Sequence, residues 1–94
     1  MEIKDNQFSR QFETVADGKM FSVEYSVQER KLFLTKVNIP EGAEEEPTLT
    51  NLFKEIMALA EENRQRVVPT HPKAAAFFRK NPGYKDMLPP GIRI

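Results

Sequence analysis

The stretch EGAEEEPTLT, residues 41–50, sets three consecutive glutamates and a proline where an apolar strand pattern hands over to a helical one. A strand-to-helix turn is a common phosphate holder, because the first N–H groups of the helix point outward unpaired at the positive end of its dipole. Glycine normally serves there, since a side chain obstructs close approach and proline has no N–H to offer. Three readings therefore stand side by side. The loop binds an anion despite its sequence, it binds something else such as a cation, or the carboxylates fill the anion site and steady the helix start, with Pro47 presetting the backbone. Further on, Pro-Thr-His-Pro at 69–72 carries the only histidine, His71. Neutral imidazole suits general-base chemistry, and a histidine in such a turn equally suits a helix cap or loop position.

Composition narrows the chemistry. The chain has 94 residues, 39% of them apolar and 30% charged, which is the balance of a single soluble globular domain over 1–94. It contains no cysteine, which removes disulfides, thiolate metal sites and a cysteine nucleophile; one histidine rules out a histidine-rich metal centre. The opening MEIKDNQF lacks the basic and apolar regions of a signal peptide, and no apolar run nears the roughly 20 residues of a membrane span, so a cytoplasmic location is expected. Net charge is zero but segregated: residues 1–63 hold 7 basic against 13 acidic residues, and residues 64–94 hold 7 against Asp86 alone. Such a split can steer an anion to one face, or can be solvated surface.

The elements that must position these groups follow from periodicity. FSRQFETV (8–15), the turn Ala16-Asp17-Gly18 and MFSVEYSVQ (20–28) predict a hairpin, the second strand half-buried through Phe21, Val23, Tyr25 and Val27. KLFLTKVNI (31–39) is apolar on both faces, Leu32 and Leu34 on one and Phe33, Val37 and Ile39 on the other, which predicts an interior strand. Leu49, Leu52, Phe53, Ile56, Leu59 and Ala60 fall at helical spacing within 48–63. RVVP (66–69) then reads as a strand parallel to the one before the helix. Pro72–Lys80 reads as a second helix, ended by Asn81-Pro82-Gly83.

Phe12 with Asp17-Gly18, Glu24-Tyr25, Ile39-Pro40, Val67-Val68-Pro69, His71-Pro72 and Pro82-Gly83-Tyr84 occur in an order and spacing that resembles the short-form members of the GNAT superfamily of N-acetyltransferases. The likeness covers roughly residues 8–88. It implies an α/β (α+β) fold of three antiparallel strands, a crossover helix, a parallel fourth strand and a C-terminal helix. It also implies acetyl-CoA as cofactor, with the strand edge Val37, Asn38 and Ile39 holding the pantetheine arm. The loop 44–49 and the helix start, Thr48, Leu49 and Thr50, would cradle the pyrophosphate. Against the family's loop pattern, Glu45 and Pro47 stand where glycines are usual and Leu49 replaces a small residue. His71 stands where the relatives carry a cysteine, which makes it the candidate base. Tyr84 is the candidate proton donor to a departing thiolate, or a packing lid. Lys73, Arg79 and Lys80 are candidate phosphate partners, or a solvated helix face.

Two functions of different class are consistent with these residues. One is an acetyl-CoA-dependent transferase acting on a primary amine or a protein lysine, with cofactor binding weakened or lost at the loop. The other is a non-catalytic module of the same fold that binds a protein partner or another ligand. A monomer or weak dimer is expected, with no membrane association and no metal. Nucleic acid is disfavoured, since the basic residues of 64–94 are few and form no recognised motif.

Overall fold

Two tight turns and one crossover helix dictate the path of the chain. A computed structural model describes residues 1–94. In order it contains β1 (Lys4–Asn6), β2 (Gln11–Ala16), β3 (Lys19–Gln28), β4 (Lys31–Asn38), α1 (Thr48–Glu62), β5 (Arg66–Pro69) and α2 (Pro72–Lys80), followed by a 3₁₀ turn, Pro82–Met87. The strands lie in the sheet in that same sequence, antiparallel except for the parallel β4–β5 pair. The expected arrangement of three antiparallel strands, crossover helix, parallel strand and C-terminal helix is present, with one strand added at the edge.

Both hairpins use two-residue turns with left-handed backbone at each central position. These are Asp17 (φ 52°) with Gly18 (φ 74°), and Glu29 (φ 50°) with Arg30 (φ 63°). That geometry matches the twist of the flanking strands, which sets the registers Ala16↔Lys19 and Gln28↔Lys31. The end of α1 is equally specific. Arg64 is left-handed (φ 55°), its N–H bonds to Glu61 O, and the Gln65 N–H bonds back to Ala60 O, the double closure of a Schellman motif. This turns the chain into β5.

The sheet buries one face. Phe12, Phe21, Val23, Leu32, Leu34 and Val67 meet Leu49, Leu52, Phe53, Ile56, Met57 and Ala60 of α1 and Ala74, Phe77 and Phe78 of α2 in one cluster. On α1 the stripe includes Met57, which the spacing did not single out, while Leu59 is only half-buried. The opposite face carries no helix, and the register pair Val15 and Met20 lies there 67% and 50% exposed.

Three sequence expectations change. In β4, Glu24 pairs with Lys36 and Tyr25 with Leu34, so Thr35 is an extra residue with no partner of its own. This bulge reverses the alternation beyond it. Val37 lies opposite buried Val23 and packs with Ile39 against the core, on the face of Leu32 and Leu34 instead of the face of Phe33. In β3, Val27 is exposed. At the N-terminus, residues 7–10 form a turn and not the start of a strand, with Arg10 left-handed (φ 52°) and the Ser9 N–H donating to Asn6 Oδ1 at 3.1 Å. That turn folds β1 back onto β2.

β1 is only three residues long, and side chains fasten it. Asn6 Nδ2 and Gln11 Nε2 both donate to Glu13 Oε2, at 3.0 and 2.5 Å. Those two amides, Gln11 foremost, hold the Glu13 carboxyl below its ordinary range. Tyr25 Oη donates to Asp5 Oδ1 at 2.5 Å, and its ring stacks on Phe12 with centroids 4.5 Å apart. Burial, followed by the bond to Asp5 and the nearby Asp5 charge, pushes the Tyr25 phenol up to about 12. The folded state thus keeps a proton that the unfolded chain releases near pH ~10. Stability should be unaffected below that pH and fall as pH rises from ~10 towards 12. In Tyr25→Phe this decline should be shallower, with neutral-pH stability lowered by about 0.5–1.5 kcal/mol. Urea denaturation at pH 7 and at pH 10–11 checks both; identical alkaline slopes for the two proteins would contradict the assignment.

Candidate functional site

The site begins where β4 and β5 part. Their pairing runs from Lys31↔Arg66 to Leu34↔Pro69 and stops there. The next donor due on the ladder, the Thr70 N–H, turns back to Val68 O at 3.1 Å. The Leu34 carbonyl is taken instead by two donors from the next residues, Thr70 Oγ1 at 2.7 Å and the His71 N–H at 3.2 Å. Beyond that point β4 continues through Asn38 with β3 as its only neighbour. The strand edge from Thr35 to Ile39 on the α2 side therefore has no strand beside it.

Helix α2 starts at this fork. Pro72 takes the first helical position, and His71 is the N-cap, its Nδ1 accepting the Lys73 N–H at 3.1 Å. A neutral ring whose Nδ1 accepts must carry its proton on Nε2. The capped His71 can then donate a hydrogen bond but holds no free lone pair, so the expected base role requires the cap to open.

Between the start of α1 and the length of α2 runs a groove of about 290 Å³. Leu49, Phe53 and Phe77 supply its apolar lining, with Thr50, Lys73 and Lys80 among its polar residues. At the mouth of α1 the Leu49 N–H bonds to Glu45 O and the Asn51 N–H to Pro47 O. The Thr48 and Thr50 N–H groups are left without a backbone acceptor, the state that receives an anion at a helix start. The residues present thus match part of what a nucleotide thioester needs: an unpaired strand edge, an apolar groove, two outward amides and two lysines.

The glutamates do not cap the helix. The N-cap is Pro47, after a cis Glu46–Pro47 peptide, with no side-chain cap bond and no acidic residue in the first turn. Glu46 instead accepts from Thr50 Oγ1 at 2.5 Å, and Glu45 Oε1 lies 2.6 Å from Lys73 Nζ. The carboxylates thus reach the helix start through a threonine hydroxyl and a lysine, with no bond to a helix amide. The Glu45–Lys73 bridge, with each side chain 41% exposed, joins the loop to α2 at the groove and engages one of the two lysines that line it.

Of the residues expected to act, Leu49, Thr50 and Lys73 line this groove together. Thr48 instead faces a separate hollow formed with Lys19, Gly42 and Glu44. Val37 and Ile39 turn inward to the core, and Asn38 projects to the outer sheet face, so any role of this segment in holding a ligand falls to its backbone. Tyr84 packs on Phe77, centroids 5.3 Å apart, outside the groove lining. Sequence reasoning missed the Glu45–Lys73 bridge, which spans 28 positions, and Thr70, whose hydroxyl marks the fork.

The family model described as GCN5-related N-acetyl-transferase matches residues 11–87, and the chain belongs to that family. No curated protein matches the chain. No helix is long and apolar enough to cross a membrane.

Thr70→Val keeps shape while removing the hydroxyl that Leu34 O accepts. It should cost about 0.5–1.5 kcal/mol in urea denaturation. An unchanged midpoint would mean that the fork does not depend on this bond.

Proposed function

We propose, from membership of the GCN5-related N-acetyltransferase family, that this chain transfers acetyl from acetyl-CoA to an amine, with cofactor affinity lowered by the Glu45–Lys73 bridge. The observation that carries this reading is the unpaired β4 edge at the start of α2, the helix whose Lys73 and Phe77 line the groove towards α1. When bound, acetyl-CoA supplies an activated acyl carbon: the amine forms the C–N bond, the C–S bond breaks, and the proton lost by nitrogen ends on sulfur or solvent.

The protein's contribution is positional. The backbone of residues 35–39 offers hydrogen bonds to an extended amide chain, as an added strand would. The Thr48 and Thr50 amides and Lys80 offer donors to phosphate, and Lys73 joins them by exchanging Glu45 for a phosphate oxygen. Glu45 and Glu46 oppose that exchange. A carboxylate ~4 Å from a phosphate is unfavourable by about 1 kcal/mol in water and about 4 kcal/mol at an effective dielectric near 20. His71 holds the start of α2 at the fork. Tyr84 and the opened form of His71 remain the side chains assigned to proton transfer.

The non-catalytic alternative draws on one observation, the mouth of α1, where three glutamates and Pro47 stand without a glycine. Calorimetric titration with acetyl-CoA separates the two. Saturable binding is expected, weakening as salt rises. Glu45→Gln frees Lys73 and should tighten binding about fivefold, ~1 kcal/mol. Absence of heat at millimolar acetyl-CoA in both proteins would overturn the enzyme reading and favour the module.

A further inference from the structure

We propose that two copies of this chain associate through the end of the sheet at which β4 begins and α1 ends, the Phe8 ring of each entering a hollow of the other. The surface is separate from the one assigned to acetyl-CoA, which uses residues 35–39 and the start of α1, so the pairing does not depend on the acetyltransferase reading.

Phe8 is the knob. Its ring is 99% exposed, yet the turn that carries it is tied down: the Ser9 N–H donates to Asn6 Oδ1 at 3.1 Å, and the Tyr25 N–H donates to Arg10 O at 2.9 Å. An aromatic side chain held out on a fixed turn has much apolar area to bury and little freedom left to lose, which is the profile of an interface anchor.

The hollow stands beside it in the sequence. Gln7 borders it, and buried Phe12 and Leu32, half-buried Tyr25 and Leu59 and exposed Val27 give it an apolar wall. Its volume is about 190 Å³. An apolar cavity of about 150 Å³ already admits a benzene ring, whereas small-molecule sites begin at roughly 300 Å³, so the occupant this hollow suits is one aromatic side chain.

A second copy supplies that ring. Gln7 borders the hollow and Phe8 follows it, so knob and hollow share one patch, and a two-fold axis beside them makes both contacts at once. Charge agrees with this. Asp5 at the border of the hollow and Arg10, two residues after Phe8, are both exposed, and neither pairs within the chain, whose ion pair is Glu45–Lys73. A patch with one unpaired charge of each sign is complementary to itself, Arg10 of each copy facing Asp5 of the other, and a net charge of zero sets up no repulsion between copies. Two buried rings without a large flanking interface make a weak, reversible dimer, with Kd on the order of 0.1–1 mM.

NMR of the full chain, with translational diffusion measured from about 20 μM to about 2 mM, tests this. Diffusion should slow from the value of one copy towards that of two, with shifts at Phe8, Val27 and Leu59. In a mixture of isotope-labelled and unlabelled chain, the Phe8 ring should show contacts to the Val27 and Leu59 methyl groups of the other copy. Phe8→Ser removes a ring that is open to solvent in its own chain, so the fold is retained, and Kd should rise about tenfold or more. Val27→Glu, which places a charge in the hollow and leaves Phe8 intact, should do the same. A single copy throughout the range would overturn the proposal and leave the hollow to some other chain. Association unchanged in Phe8→Ser, which would move the contact to exposed Val15 and Met20, or growth past two copies, would overturn it as well.

Discussion

The Leu34 carbonyl is the point on which the architecture turns. In an unbroken parallel sheet it would accept from the neighbouring strand and the ladder would continue. Here the Thr70 N–H turns back to Val68 O, and Thr70 and His71 take the Leu34 carbonyl with a hydroxyl and an amide from a chain already turning into a helix. Satisfying that one buried acceptor by a turn, and not by a strand, leaves the following residues of β4 with an open edge. The capped start of α2 stands at that edge, and the face of α2 carries the groove from there towards α1.

The bulge at Thr35 works with this fork. Without it, alternation would carry Val37 to the outer face and leave the core short of a residue opposite Val23. With it, β4 contributes to the core on both sides of the fork while still presenting Asn38 outward. A strand segment free at its edge can therefore be anchored from below by packing and from one side by β3. Rigidity and availability of the backbone coexist because they come from different directions.

Much of this was legible in the sequence. Periodicity located the longer strands and both helices, and the resemblance carried by Val67-Val68-Pro69, His71-Pro72 and Pro82-Gly83-Tyr84 agrees with the family match over residues 11–87. What escaped shares a cause: it depends on pairing between distant residues. The three residues of β1 are too few to show a period, and their place depends on Tyr25–Asp5 and on Glu13. The bulge leaves no mark in a strand apolar on both faces, since either parity looks reasonable. The glutamates read as helix stabilisers by position alone, yet their partners, Lys73 and the Thr50 hydroxyl, are set by the tertiary fold and by an N-cap that is proline. His71 was legible as a cap or as a base, and the geometry realises the cap.

Amide hydrogen exchange along β4, with and without acetyl-CoA, addresses the fork most directly. The account predicts that the α2-facing amides within Thr35 to Ile39 exchange faster than those of Leu32 to Leu34 in the free protein. It further predicts that they gain protection when acetyl-CoA is added, because a ligand backbone takes the place of the missing strand. Uniform protection along β4 in the free protein, or acetyl-CoA binding that leaves this segment unchanged, would contradict it.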